Sequence, residues 1–150
     1  MGSPSRPFTP PSRGELLVNH VVTLLVRLGI APGHMYLLEV RGRKTGTRYS
    51  VPVDLLSAQG KLYLVAPRGW TQWARNADAV GEVTLRRGGR ADRYRARTLS
   101  VAERPPILKA YLERFRREVQ RFFPVPAGSP VEAFVGIADR HPAFELTRSS

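Results

Sequence analysis

The sequence contains no cysteine, which excludes disulfide bridges and thiolate metal sites. Histidine is also scarce: His20, His34 and His141 lie far apart and share no metal-ligand spacing, so we expect no metal site. Acidic residues number 12 against 24 basic ones, which gives a formal net charge of +12. This imbalance favours an anionic partner, such as a phosphorylated cofactor, a nucleic acid or an acidic membrane surface.

Motifs of several common enzyme classes are missing as well. The chain has no G-x-S-x-G nucleophile elbow, which argues against a serine hydrolase. It has neither the G-x-x-x-x-G-K-[ST] phosphate loop nor the G-x-G-x-x-G dinucleotide fingerprint. The carboxylates Glu39 and Asp54 stand alone on predicted strands, and we assign both a structural role. The chain is therefore poor in acid–base groups, and we predict no catalytic side chain.

No hydrophobic run is long enough to cross a bilayer. Residues 15–28 carry a polar residue at every fourth position, a pattern typical of a helix with one narrow polar stripe. At about 1.5 Å per residue, this helix falls short of a hydrocarbon core of ~30 Å. We expect it to pack on a sheet, with attachment to a membrane surface as the alternative.

The first residues of the chain differ in composition from the rest. Residues 1–13 hold four prolines and three serines, which predicts a disordered leader. This segment lacks the apolar core and cleavage site of a signal peptide. Residues 14–150 are enough for a single domain with a proper hydrophobic core. A cytoplasmic location is the default expectation, with membrane association as an open possibility.

Residues 37–54 (LLEVRGRKTGTRYSVPVD) form the most informative stretch. Apolar and polar side chains alternate on both sides of its centre, as in two half-buried strands. Between them, residues 42–46 (GRKTG) place two cations and a hydroxyl between two glycines. Glycine permits positive φ and a close approach of backbone to ligand, and cations with a hydroxyl suit an anion with several oxygens. We therefore predict a hairpin whose basic turn binds an anion.

A second basic turn follows later in the chain. The arginine–glycine pair at residues 68–69 comes after a predicted strand at residues 61–66 and before a predicted helix at residues 71–79. Trp73 and Asn76 are three residues apart and share a face of that helix. The amides at a helix N-terminus also attract anions. Two basic turns after neighbouring strands therefore predict a phosphate-bearing ligand.

The rest of the chain predicts further short strands and one long helix. The expected elements are a turn at residues 57–60, strands at residues 83–87 and 93–99, a helix over residues 102–122 with Ser100 as its cap, and one or two strands within residues 131–146. Several short strands joined by tight turns, with few helices, predict a small barrel decorated by helices.

Taken in order, these motifs resemble the deazaflavin-dependent nitroreductase family. The shared elements are GRKTG after an apolar strand, V-P on the next strand, then A-P-R-G, and W-A-R-N at the start of a helix. The resemblance covers residues 36–99 well and the flanking helices loosely. It implies a split β-barrel, mainly β with an N-terminal helix and a long helix after the barrel hairpins. It also implies that reduced coenzyme F420, a deazaflavin, delivers a hydride to an electron-poor quinone, activated alkene or nitro compound.

The same resemblance implies which residues bind the coenzyme. Its phosphate and acidic tail would meet the basic turn at Arg43, Lys44 and Thr45. The remaining expected contacts are the strand beneath the ring, at Tyr49, Ser50, Val51, Pro52, Val53 and Asp54; the second phosphate-side segment, at Val65, Ala66, Pro67, Arg68 and Gly69; and the helix that closes the pocket, at Gln72, Trp73, Ala74, Arg75 and Asn76.

The chain departs from the family pattern in two places. The loop between the basic turn and the tryptophan helix is shorter, and residues 123–126 (FPVP) lack the family's tyrosine. These departures motivate an alternative, a non-catalytic split-barrel protein that binds a lipid or another cofactor, and FMN is an alternative to F420. The aromatic residues are not interleaved as single-strand binders need, so we expect no specific nucleic-acid partner. We expect a small-molecule substrate and a monomer or homodimer.

Overall fold

The computed structural model describes residues 33–149. The predicted leader and N-terminal helix lie outside these residues. The described elements are strands β1 (Met35–Arg41), β2 (Arg48–Asp54), β3 (Leu56–Ala58), β4 (Lys61–Val65), β5 (Glu82–Arg87), β6 (Arg90–Thr98) and β7 (Ala143–Arg148), the α-helices α1 (Gln72–Val80) and α2 (Arg104–Val119), and 3-10 helices at Val101–Glu103, Gln120–Phe122 and Val131–Arg140.

The seven strands form one sheet in the order β2-β1-β5-β6-β7-β4-β3. Every pairing is antiparallel, and the sheet curls into a half-barrel with β2 and β3 at its two edges. The expectation of a mainly β split barrel with a long helix after the hairpins is therefore confirmed. No helix within residues 33–149 is long and apolar enough to cross a membrane.

The two faces of the sheet bury separate groups of side chains. On β4, Tyr63 and Val65 pack with α2 and the 3-10 helix Val131–Arg140, while Leu64 faces the opposite way and packs with α1. This alternation follows from the period of two in a strand. The sheet thus carries one helical layer on each face, and both layers contribute to the site described below.

The long helix has the expected extent but is divided. Its α-helical part is α2, and the 3-10 turns Val101–Glu103 and Gln120–Phe122 extend it at either end. The predicted cap at Ser100 is confirmed, because the Ser100 backbone N–H donates to the Glu103 carboxylate at 2.9 Å in a capping box. Phe115 has non-helical backbone angles (φ −120°, ψ 27°), and the helix kinks there.

One expectation about secondary structure was wrong in detail. The turn predicted at residues 57–60 is shorter, because Gln59 and Gly60 both take positive φ and make a two-residue hairpin turn that frees Leu56–Ala58 to pair as β3. Of the one or two strands expected within residues 131–146, the structure has one, β7, which is preceded by the 3-10 helix Val131–Arg140. Phe134 and Ile137 are buried three residues apart, which fits the 3-10 period.

Candidate active site

A hollow of about 560 Å³ lies between β2, the end of β4 and α2. Its volume is typical of a small-molecule or cofactor site. The lining residues are Met35 of β1; Tyr49, Ser50, Val51, Pro52, Val53 and Asp54 of β2; Val65, Ala66, Pro67, Arg68 and Thr71 at and after the end of β4; Gln72 and Trp73 of α1; and Tyr111, Glu118, Val119 and Phe122 on and after α2.

The wall of the hollow is largely apolar and partly aromatic. Trp73 is half-buried, with its ring centroid 5.7 Å from that of Phe144 in the core and its remaining surface in the hollow. The wall opposite Trp73 is formed by β2, through Val51, Pro52 and Val53. Since β2 is an edge strand, no further described strand covers it. Such a wall suits a flat ring system.

The basic turn between β1 and β2 is fixed to α1 by hydrogen bonds. Asn76 is 2% exposed, and its Oδ1 accepts hydrogen bonds from the backbone N–H of Arg43 at 3.1 Å and from Arg43 Nη1 at 2.7 Å. The same guanidinium donates to Gln72 Oε1 at 3.1 Å, and Gln72 lines the hollow. The turn therefore lies at the rim of the hollow on the side of α1.

Glycine has a structural reason at both ends of this turn. Gly46 has φ +73°, which side chains rarely adopt, and its N–H donates to the Gly42 carbonyl at 2.9 Å. At Gly42 a Cβ would lie 2.8 Å from the ring of Tyr49, so the tyrosine side chain would have to shift. Tyr49 is half exposed (49%) and lines the hollow. Gly42 thus lets the tyrosine ring lie against the backbone of the turn.

The second basic turn lies directly on the hollow. Arg68 lines it, with its guanidinium carbon 4.5 Å from the ring centroid of Phe122, a cation–π contact that orients the cation. Gly69 follows with φ +93° and lets the chain bend into α1. His141 Nδ1 lies 3.1 Å from the Pro67 carbonyl, and the His141 ring stacks on Phe123 at 4.4 Å. Burial lowers the pKa of His141 to about 4, so the ring is neutral and Nδ1–H donates to Pro67.

A pair of ionisable groups lies at the open end of the β1–β2 hairpin. His34 Nε2 and Asp54 Oδ1 are 3.5 Å apart, and both atoms are buried without a hydrogen-bond partner in the described part of the chain. Burial raises the pKa of Asp54 to about 6; His34 and Arg114 oppose this shift and Glu118 adds to it. Within residues 33–149, no three histidine, aspartate or glutamate side chains are grouped closely enough to hold a metal ion.

The structure brings most of the sequence-predicted site residues to one hollow. The predicted residues that line it are Tyr49, Ser50, Val51, Pro52, Val53 and Asp54 of β2; Val65, Ala66, Pro67 and Arg68 at and after the end of β4; and Gln72 and Trp73 of α1. The predicted residues that do not line it are Arg43, Lys44, Thr45, Gly69, Ala74, Arg75 and Asn76. Of these, Ala74 is fully buried and Arg75 donates to the Trp70 carbonyl at 2.9 Å, so both support the site from behind.

The lining residues that sequence reasoning missed come mainly from α2 and its extension. Tyr111, Glu118, Val119 and Phe122 are separated by seven, one and three residues, which places them along one helix face. The apolar periodicity of residues 102–122 predicts which helix face is buried, but it does not predict what this face packs against. Met35 and Thr71 were also missed, because they stand at element ends where no periodic signal exists.

Comparison with known proteins identifies the family. Residues 19–121 match the model of the F420H(2)-dependent quinone reductase family. This chain belongs to that family. It is therefore an oxidoreductase that depends on coenzyme F420, and the resemblance stated from the GRKTG, A-P-R-G and W-A-R-N motifs is confirmed. No curated protein matches the sequence of the chain.

Solved structures share the fold of this family member at low sequence identity. The F420-H2 dependent reductase FDR-A is 22% identical, with a TM-score of 0.51 over 77% of this chain and 95% of that chain. A FAD-binding protein from Mesorhizobium loti is 13% identical, with a TM-score of 0.53 over 87% and 89%. The heme storage protein HutZ from Vibrio cholerae is 8% identical, with a TM-score of 0.53 over 79% and 84%. These likenesses show a shared architecture alone.

The residues of this family member fit a deazaflavin coenzyme. A flat ring needs apolar walls, which β2 and Trp73 supply. A phosphodiester with glutamates needs cations at the rim, where Arg68 and the basic turn lie. Thr71 Oγ1 is buried without a hydrogen-bond partner in the described part of the chain and lines the hollow, so it is open to a ligand.

Proposed function

We propose that this chain uses reduced F420, held in the hollow, to reduce small electron-poor acceptors, with quinones as the first class and activated alkenes and nitro compounds as related ones. One observation carries the proposal: a hollow of about 560 Å³ has an apolar strand wall on one side and cationic side chains at its rim. That combination matches a flat redox ring joined to an acidic tail, and the family supplies the coenzyme.

The strand wall binds and orients the ring in this proposal. Val51, Pro52 and Val53 are half-buried and offer apolar surface that a ring would remove from water. At roughly 25 cal/mol per Å² of apolar surface, covering this wall contributes favourably to binding. Trp73 closes the other side of the space and excludes water from it.

The cations bind the acidic tail. Arg68 is oriented by Phe122, and Arg43 is held by Asn76, so neither loses much side-chain freedom when an anion binds. Lys44 is exposed next to Arg43 and has no ion-pair partner among residues 33–149. The first turn of α1 contains no acidic residue, so its backbone N–H groups add to the attraction for an anion.

The redox step belongs to the coenzyme, which supplies a hydride when bound, so the protein needs no redox-active side chain. The chain binds the ring, places the acceptor beside it and keeps bulk water from the space between them. An acceptor fits the part of the hollow bordered by α2, where Tyr111, Val119 and Phe122 lie. Val119 and Phe122 give this part apolar surface, which favours a flat acceptor such as a quinone.

Titration with oxidised F420 tests the proposal. Binding should change the fluorescence of the coenzyme with a dissociation constant in the micromolar range or below, an affinity of about −8 kcal/mol. Mixing the protein with reduced F420 and menadione should then return the oxidised coenzyme. A protein that gives no fluorescence response at high coenzyme concentration contradicts the proposal.

We also propose that the chain forms a homodimer. β2 is a sheet edge, and its first residues Arg48, Tyr49 and Ser50 are exposed. One solved structure of the same fold, 19% identical with a TM-score of 0.55 over 91% of this chain, is described as a domain-swapped dimer. Light scattering after size exclusion tests this, and a monomer mass at micromolar concentration contradicts it.

A further inference from the structure

Four ionisable side chains meet at one end of the hollow. Asp54 closes β2, and His34 stands directly before β1; the strand register pairs Met35 with Asp54, and the Leu55 N–H donates to the His34 carbonyl at 2.8 Å. Tyr111 and Glu118 approach the same region from α2. The hairpin register therefore fixes the position of the aspartate–histidine pair on an otherwise apolar wall.

The side chains of Asp54 and His34 do not use all of their hydrogen-bonding capacity within residues 33–149. The side chains of Asp54 and His34 are 12% and 20% exposed, and their nearest polar atoms, 3.5 Å apart, have no hydrogen-bond partner in the part of the chain that the structure describes. Buried polar atoms in folded proteins are nearly always hydrogen-bonded to protein, water or ligand. Because Asp54 lines the hollow, a ligand in the hollow can complete its hydrogen bonding.

The groups that face Asp54 come from the residue before β1 and from α2. His34 lies beside it, and its ring packs on Phe115 with centroids 5.0 Å apart. Glu118 and Arg114 face it from α2 with opposite signs. Tyr111 is buried, and burial raises its pKa well above the ordinary value, so it keeps its proton. Burial is also the main reason that the pKa of Asp54 rises to about 6, which suits an acid that works near neutral pH.

We propose that Asp54, which lies beside His34 on the β1–β2 hairpin, is the proton donor of the reductase reaction. The inference rests on the proposed function and gives Asp54 a catalytic role, whereas the sequence pattern favoured a structural one. The acceptors of the proposed function need a proton as well as a hydride, and Asp54 supplies that proton.

For a quinone acceptor, the hydride with its two electrons would come from the bound reduced coenzyme, which is oxidised as the quinone is reduced. The O–H bond of the Asp54 carboxyl group breaks as a new O–H bond forms on the quinone oxygen, which yields the hydroquinone. The proton that the coenzyme loses on oxidation would pass to solvent, and the Asp54 carboxylate regains a proton from solvent.

The first test needs no coenzyme. Carbon-13 NMR of the full chain, labelled at aspartate carboxyl carbons and assigned through the backbone, follows the titration of Asp54 directly. We expect an inflection near pH 6 that is absent in Asp54→Asn and retained in Asp139→Asn, a control at an exposed aspartate on the 3-10 helix. If Asp54 of the wild-type protein titrates near the ordinary value of about 4, the proposal is overturned whatever the variants show.

The second test compares two acceptors in single-turnover reactions with reduced F420. Menadione needs a hydride and a proton, whereas N-methylacridinium needs a hydride alone. Asp54→Asn should slow menadione reduction by about 10²-fold or more relative to acridinium reduction measured with the same variant at saturating coenzyme. The wild-type menadione rate should fall as the pH rises through about 6, where Asp54 loses its proton, and the variant rate should not.

Several outcomes count against the inference. Equal slowing of both acceptors, or an unchanged menadione rate in Asp54→Asn, would each overturn it, because Asp54 would then be a structural or binding residue. If the wild-type protein gives no fluorescence response to F420, the proposed function itself fails. The two failures are therefore distinguished by the coenzyme titration.

Discussion

Single cations at the rim determine how tightly the coenzyme's acidic tail is bound. Arg68 is oriented by Phe122, and Lys44 projects from the basic turn without an ion-pair partner in the described part of the chain. Lys44→Ala and Arg68→Ala should each weaken F420 binding by about 1–3 kcal/mol, the range for charged hydrogen bonds. Fluorescence titration measures the change, and circular dichroism should stay the same because turn cations contribute little to stability.

Arg95→Ala is the matched control for these two variants. Arg95 is an exposed arginine on β6 and does not line the hollow. Its removal should leave coenzyme binding as it is, apart from a small salt-dependent effect of net charge. If Lys44→Ala and Arg68→Ala bind as tightly as Arg95→Ala, the two basic turns do not hold the tail.

Asn76 acts on the coenzyme through another residue. Its buried amide oxygen accepts two hydrogen bonds from Arg43 and is the main tie between the basic turn and α1. Asn76→Ala should lower the free energy of unfolding by about 1–3 kcal/mol, because the groups it bonded lose a partner. It should also weaken F420 binding, since the turn is no longer held at the rim.

A double-mutant cycle separates this positioning role from general damage. If Asn76 acts through Arg43, the effects of Asn76→Ala and Arg43→Ala on coenzyme affinity should not add in the double variant. Strictly additive effects, measured by the same titration, would contradict the role assigned to Asn76.

At the scale of elements, His141 ties the segment after β4 to the C-terminal part of the fold. His141 is 5% exposed, and burial lowers its pKa from 6.5 to about 4. Below about pH 6.5, His141 is protonated in the unfolded chain, whereas in the folded chain it is protonated only below about pH 4. The free energy of unfolding therefore falls as the pH drops from about 6.5 to about 4. The shift corresponds to about 3 kcal/mol at 1.36 kcal/mol per pKa unit.

His141→Phe removes both the titration and the hydrogen bond. The phenyl ring can keep the stacking on Phe123, but the Pro67 carbonyl loses its donor, which should cost about 1–3 kcal/mol near neutral pH. Urea unfolding between about pH 7 and pH 4 should show a weaker loss of stability with acid in the variant than in the wild type. Parallel pH profiles of the two proteins would show that His141 is not the acid-sensitive group.

Elements with a clear local signal could be predicted from the sequence. The β1–β2 hairpin follows from alternation and from glycines 42 and 46, and the cap of the long helix follows from Ser100 and Glu103. A strand near the C-terminus was predicted and is present as β7, but the 3-10 helix before it, which packs against α2, was not predicted. No local pattern shows that His34 and Asp54 meet, since their contact depends on strand register.

At the scale of the whole molecule, the site exists because the sheet is curled and its two helical layers meet at one edge. β2, the end of β4, the start of α1 and the face of α2 come from four separate parts of the chain. The motif resemblance implied the first three as the parts that bind the coenzyme. The position of the fourth part, the face of α2, depends on tertiary packing, and this face borders the space in which we place the substrate.

We place the coenzyme in the larger hollow, with Arg68 in its lining and the first basic turn at its rim. A second, smaller cleft of about 150 Å³ lies beside Arg41, Arg48 and Arg93, with Glu39 and Glu82 also in its lining, and offers another location. It contains none of the residues predicted to bind the coenzyme. The two locations therefore give the coenzyme different and separable positions on the molecule.

A crystal structure of the protein with oxidised F420 tests this claim most directly. We predict the ring against β2 at residues 50–53, with the acidic tail beside Arg68 and the basic turn. A coenzyme bound in the cleft beside Arg41 and Arg48, with the larger hollow empty, would contradict it.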